Sequence, residues 1–155
     1  MPTEIERKFL VNRTLWAMVQ PDESATVRQG YLHSDNVKTI RVRTMGNKGF
    51  ITIKGKTTGI SRAEYEYEIP FDEATLMLDS FAGNIIEKTR HYVQHEGKTW
   101  EVDEFGGDNA GLWVAEIELT GEDEVFSQPA WAGEEVTHDY RYSNSSLAKK
   151  PFMNW

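Results

Sequence analysis

Arg62-Ala63-Glu64-Tyr65-Glu66-Tyr67-Glu68-Ile69 alternates strictly between charged and uncharged side chains. A period of two belongs to a β-strand, whose successive side chains point to opposite faces. One face of this strand carries only ionised groups. The same parity recurs along the chain. Glu4, Glu6 and Lys8 oppose Ile5 and Phe9, Arg41 and Arg43 oppose Ile40 and Val42, and Lys54 follows Thr52 opposite Ile51 and Ile53. Lys88 and Arg90 share a face. Glu101 and Asp103 alternate with Trp100 and Val102, and Glu116 and Glu118 with Ala115, Ile117 and Leu119.

Turn signals divide the rest of the chain into matching units. Strands are expected near 3–11, 26–33, 37–45, 49–55, 63–70, 85–95, 98–105 and 112–120. Gly46-Asn47-Lys48-Gly49 and His95-Glu96-Gly97-Lys98 read as tight hairpin turns, which imply antiparallel pairing. Gly106-Gly107-Asp108-Asn109 with Gly111 reads as a longer, flexible connection. Helices are few. Asn12 caps a candidate at Arg13–Val19, ended by Pro21. Phe71–Ala82 follows Pro70, carries Asp72 and Glu73 early and stops at Gly83. Thr120–Ser127 is a weaker candidate, and Asn144–Lys150 offers a last turn or two. No linker, repeat or low-complexity run interrupts the chain, so one domain spanning 1–155 is expected.

Composition narrows the function classes. The chain of 155 residues has 17 Lys+Arg against 25 Asp+Glu, a net charge of −8. That balance argues against general nucleic-acid binding, which needs a basic surface. It leaves room for an anion in a locally basic pocket. The absence of cysteine excludes disulfides, thiolate metal sites and Cys nucleophiles, and fits a reducing cytoplasm. The charged start MPTEIERK is no signal peptide, and no apolar run approaches the ~20 residues of a membrane span.

The charged faces admit two readings. One is a sheet with a solvated outer face and a buried inner one. The other is a barrel with a polar inside and a partly apolar outside covered by helices. Two features favour the barrel. These faces set like charges two residues apart, which repel and serve nothing on a solvated surface. Acidic and basic groups also fall largely on separate strands, so opposite signs would meet across a lumen. Eight strands enclose space for side chains or one small ligand. Charges in such a lumen need compensation. Carboxylates can be neutralised by Mg²⁺ or Mn²⁺, and a basic cluster by a polyanion held through Arg forks and Lys point charges. A triphosphate with a divalent metal supplies both at once.

At Glu4-Ile-Glu-Arg-Lys8 the sequence resembles the signature of the CYTH superfamily, the triphosphate tunnel metalloenzymes. Further blocks resemble the family in family order: Gln29-Gly-Tyr-Leu32, Arg41-Val-Arg43, Thr52-Ile-Lys54, Arg62-Ala-Glu-Tyr-Glu66, Glu87-Lys-Thr-Arg90, Trp100-Glu-Val-Asp103, Glu116-Ile-Glu118 and Glu135-Val-Thr-His-Asp-Tyr-Arg-Tyr142. The short bacterial branch of inorganic triphosphatases is the most similar. The resemblance implies an α+β, mainly β fold: a closed eight-stranded antiparallel barrel, or tunnel, with a charged interior and a few flanking helices. It implies that Lys8, Arg41, Arg43, Lys54, Lys88 and Arg90 hold phosphates, with Lys56 and Arg62 in second rank. It implies that Glu4, Glu6, Glu116 and Glu118, with Asp103, Glu64 and Glu66, serve the metals. Lys8, Glu4 and Glu6 are then the catalytic candidates. Asp139–Tyr142 and the turn after it resemble the family's C-terminal plug at one tunnel mouth.

The expected activity is metal-dependent hydrolysis of a small-molecule triphosphate, inorganic tripolyphosphate, to pyrophosphate and phosphate. Alternatives on the same fold are a class IV adenylate cyclase and a thiamine or nucleoside triphosphatase; outside it stands a non-catalytic polyphosphate binder. Exposed Tyr65 and Tyr67 could pair with a second copy, giving a homodimer, or sit under helices. Other motifs fail on context. Gly55-Lys56-Thr57 lacks the first glycine and the helix of a P-loop. Gly59-Ile-Ser61-Arg-Ala63 leads into a strand, unlike a nucleophile elbow. His91 and His95 lie in a strand and its turn, so they do not share a helical face for zinc.

Overall fold

The computed structural model describes residues 3–155. Its strands are β1 (Thr3–Val11), β2 (Glu23–Ser34), β3 (Lys38–Met45), β4 (Lys48–Gly55), β5 (Ser61–Ile69), β6 (Ile86–His95), β7 (Lys98–Phe105), β8 (Trp113–Glu118) and β9 (Ala132–Glu135). The helices are α1 (Arg13–Trp16), α2 (Phe71–Phe81) and α3 (Asn144–Lys149). Strands run in the order β5-β4-β3-β2-β6-β7-β8-β1, every neighbour is antiparallel, and β1 pairs back onto β5. The eight-stranded barrel is therefore closed. Its closing seam is thin, with only Thr3–Ala63, Glu4–Arg62 and Ile5–Ser61 in register. Farther along, the same edge of β1 takes up β9, opposite Phe9 and Val11, a ninth strand that the sequence did not signal.

Both expected hairpins form. Gly46 has φ +60°, and Glu96 and Gly97 have φ +49° and +77°, the left-handed pair that a two-residue turn needs to match strand twist. The weak helix at Thr120–Ser127 does not form. There Glu124 folds back so that its Oε1 accepts from both Thr120 N and Thr120 Oγ1, at 2.6 and 2.7 Å, and the chain continues irregularly to Pro129. One turn closes there, Glu124 N donating to Gly121 O at 3.1 Å, and Gly121, a poor helix former, sits inside it. The Gly106–Gly111 connection is a tight 3₁₀ turn at Gly107–Asn109. Its Asn109 is buried, and Asn109 Oδ1 accepts from Phe152 N at 2.8 Å.

The apolar parity faces outward and is covered from outside. On β1, β7 and β8, Phe9, Trp100, Val102, Ala115 and Ile117 pack with Trp16 of α1 and with Leu119 and Trp131. On the far side α2 lays Ala74 and Leu78 against Val42. Two glycines permit that close approach: a Cβ on Gly30 would stand 2.7 Å from Ala82 Cβ, and one on Gly49 2.7 Å from Ala74 Cβ. Away from α2, which covers Ile51 and Ile69, the outer face of β4 and β5 lies open and leaves Ile53 and Tyr67 exposed. The third cluster lies at one barrel end, where Leu147 of α3 meets Ile86, Phe105, Leu112 and Val114, with Tyr142 and Phe152 beside them. Ile86, Phe105 and Val114 share parity with Lys88, Asp103 and Glu116, so they point into the barrel. The C-terminal segment thus plugs the lumen with apolar side chains. No helix among the described residues is long and apolar enough to cross a membrane.

Candidate active site

The alternating charges of β1 and β3–β8 converge on the barrel interior. A cavity of about 290 Å³ is lined by Glu4, Glu6, Arg41, Arg43, Lys54, Glu64, Glu66, Arg90, Glu101, Glu116 and Glu118, with Asn144 of the plug at its edge. Of the residues singled out in sequence, Lys8 lies next to this cavity, in the neck beyond Glu6. Lys88 and Asp103 are the two that line neither this cavity nor the neck and outer cavity next to it.

Those two form a buttress behind the wall. Asp103, 1% exposed, accepts from Lys88 Nζ at 2.8 Å and from Arg90 Nε and Nη2 at 2.8 and 2.9 Å. Burial works against the Asp103 charge, but Arg90 and Lys88 hold its carboxyl well below the usual range. Arg90 Nη1 also reaches Glu101 at 2.8 Å. The Arg90 guanidinium is therefore fixed in place before any ligand arrives. A second braced unit joins β3, β4 and β5. Arg43 Nη2 and Thr52 Oγ1 both donate to Glu66 Oε1, at 2.9 and 3.0 Å, and Arg41 Nη2 donates to Thr52 Oγ1 at 3.3 Å. Thr52 was missed as a site residue. Its position two before Lys54 on the charged parity was the available signal. Arg41 Nε and Arg43 Nε are buried without a protein acceptor, so this part of the wall is short of negative charge.

The opposite imbalance holds around β1. Glu4, Glu6 and Glu118 each offer a carboxylate oxygen within 4.8 Å of the others. Two carboxylates at that spacing repel by roughly 3–4 kcal/mol at an effective dielectric constant near 20, so three cannot all ionise uncompensated. Only Glu4 is well served. Burial disfavours its charge, but Lys54 Nζ at 2.9 Å keeps its carboxyl well below the usual range. Burial, followed by Glu116 and Glu4, pushes Glu6 well up. Burial and Glu4 push Glu118 up to about 7. Burial and a hydrogen bond with Glu4 push Glu64 up to about 7 as well. A hard divalent cation prefers such oxygen donors and would relieve their repulsion, so this group fits Mg²⁺ or Mn²⁺. Glu116 and Glu66 lie closer to the cations: Glu116 is 3.9 Å from Lys8 and 4.0 Å from Arg90. Lys8 is held loosely, 3.9 Å from both Glu6 and Glu116.

Known proteins resemble this chain along its whole length. The inorganic triphosphatase of Acetivibrio thermocellus is 49% identical over 156 residues, which cover 100% of this chain and 99% of that protein. The inorganic triphosphatase of Nitrosomonas europaea is 38% identical, covering 94% of this chain and 97% of that one. The crystal structure of the inorganic triphosphatase NE1496 superposes with a TM-score of 0.65 at 36% identity, covering 96% of this chain and 95% of that chain. The CYTH domain profile matches residues 2–152, and with full-length relatives at this identity the chain belongs to the CYTH domain family.

Proposed function

We propose that the chain hydrolyses a linear triphosphate, inorganic tripolyphosphate, to pyrophosphate and orthophosphate with a divalent cation, Mg²⁺ or Mn²⁺. The observation carrying this reading is the division of one lumen into an acceptor-poor side, where Arg41 and Arg43 keep unpaired guanidinium nitrogens, and a carboxylate group (Glu4, Glu6, Glu118) in which only Glu4 has a close cation. A metal-chelated triphosphate answers both halves. The names of the relatives support the same substrate class.

Phosphoryl transfer depends on positioning and charge stabilisation more than on covalent participation by the protein. Arg41, Arg43 and Arg90 hold non-bridging oxygens along the chain, Arg90 in an orientation set by Asp103 and Lys88. Lys8, loosely paired, is free to turn its ammonium onto the phosphoryl group under attack. Glu4, Glu6 and Glu118 hold the divalent cation, with Glu64 and Glu116 beside them and Glu66 bracing the arginines. When bound, the cation supplies Lewis-acid neutralisation of phosphate oxygens. Lys54 serves as the counter-charge that keeps Glu4 ionised. The absence of cysteine supports a reducing cytoplasm as its location.

Incubating purified protein with tripolyphosphate, ATP and thiamine triphosphate, with and without Mg²⁺, tests the reading. Metal-dependent orthophosphate release from tripolyphosphate, well above the other two, is expected. Cyclic AMP formed from ATP, or binding without turnover, would reject it.

A further inference from the structure

Gln29 sits in the middle of β2, and its side chain is fully buried, at 0% exposure. Its register partners are Arg43 on β3 and Ile86 on β6. Residues directly opposite one another in an antiparallel pair share a face, so Gln29 points into the barrel with Arg43. Toward β6 it meets apolar Ile86, and Val27 precedes it on the same face; both are buried. Lys88, opposite Val27, is committed to Asp103. Toward β3 stand Arg43 directly and Arg41 diagonally, Arg41 being opposite Tyr31.

Neither Oε1 nor Nε2 of Gln29 has a hydrogen-bond partner in the protein, and the same holds for Arg41 Nε and Arg43 Nε. Buried polar groups are nearly always paired, and an unpaired amide costs stability that an apolar side chain of the same shape would not. Here four unpaired atoms fall on neighbouring positions of two strands. Arg41 and Arg43 line the lumen cavity, and Gln29 lies behind them. The two arginines are held only at their tips, Arg43 Nη2 by Glu66 and Arg41 Nη2 by Thr52. A phosphate chain competing for those tips would turn both guanidinium groups toward itself and uncover the amide. An amide then offers both an acceptor oxygen and a donor nitrogen on one neutral side chain.

We propose that Gln29 is a substrate-binding residue that engages when a phosphate chain enters the lumen: Oε1 accepts from Arg43 Nε, and Nε2 donates to a phosphoryl oxygen held between Arg41 and Arg43. The proposal deepens the triphosphatase reading and rests on it for the identity of that chain. Methionine at this position would lose both bonds. Glutamate would keep the acceptor, lose the donor and repel phosphate.

The test sets the melting temperature of the free protein against its affinity for tripolyphosphate, measured by calorimetry in EDTA. Gln29→Met should melt no lower than wild type, yet bind about ten-fold more weakly, the usual effect of losing one hydrogen bond to a charged group. Gln29→Glu, able to pair with Arg43, should also melt no lower and bind more weakly still. An amide that serves only the fold would give the reverse, a lower melting temperature at unchanged affinity. That result overturns the proposal, as does wild-type affinity in both variants. A crystal structure of wild type with tripolyphosphate decides the matter even where a variant fails to fold. Gln29 Nε2 should lie within hydrogen-bond distance of a phosphoryl oxygen; an amide bonded only to buried water there overturns the assignment. Failure of wild type to release orthophosphate from tripolyphosphate with Mg²⁺ would reject the triphosphatase reading, and the affinity comparison would still decide the role of Gln29.

Discussion

Asp103 is a buried side chain whose proposed role is to position Lys88 and Arg90 without touching a ligand itself. It bonds Lys88 and Arg90 with almost no solvent. Removing one member of a buried charge pair strands the others, at a cost of about 3–5 kcal/mol. Asp103→Asn should lower stability by that order in urea melts and raise KM through a mobile Arg90. Its pH signature follows from linkage. Because the folded-state pKa of Asp103 lies below the unfolded value, its contribution is complete above about pH 4 and is lost as pH falls further. The acid limb of wild-type stability should flatten in the Asn variant. The carboxylates of β1 behave differently. Glu4→Gln with Glu6→Gln should abolish metal-dependent phosphate release while circular dichroism stays unchanged. Full activity in that variant would reject their role as metal ligands.

Strand parity and plug packing carry the next set of expectations. Arg41 points into the lumen, whereas Lys38 at the start of the same strand is exposed. Arg41→Ala should reduce kcat by about 10²–10³, the usual effect of losing one preorganised charge contact, with Lys38→Ala close to wild type. Equal effects would remove the basis for the inward assignment. In α3, Leu147 is fully buried among the inward apolar side chains. Leu147→Ala should cost about 2–5 kcal/mol in urea melts. Because α3 carries Asn144 at the lumen edge, the same change should raise KM as well.

At the scale of the molecule, the carboxylate group lies at the barrel's thinnest joint. Glu4 and Glu6 come from β1 and Glu118 from β8, Glu64 adds β5, and β1 and β5 share only three register pairs. A cation bound there should tie the seam, raising Tm and slowing amide exchange at residues 3–5 and 61–63 more than elsewhere. EDTA should reverse both. Affinity should also depend on pH. Glu118 and Glu64 sit near 7 and Glu6 above its ordinary value, so the metal displaces protons and binding weakens as pH drops below 7. Calorimetry in two buffers of different ionisation enthalpy would measure the released protons.

Sequence alone was enough to locate the eight barrel strands and to show which face of most of them carries charge, because a two-residue period is a local property of the backbone. Glu64, Glu66 and Glu68 announce a charged face without reference to any other strand. The hairpin turns were legible for the same reason, since Gly46 and Glu96-Gly97 meet a local dihedral demand. Strand β9 was not, because Ala132-Gly-Glu-Glu135 has no alternation and is a strand only by pairing with β1. Nor could the sequence separate Asp103 from Glu118: both lie on the charged parity of their strands, yet one is locked between two cations and the other stands among acids of which only Glu4 has a close cation. That distinction comes from strand stagger and barrel closure, which bring residues a hundred positions apart within a few ångströms and so decide which charges find partners.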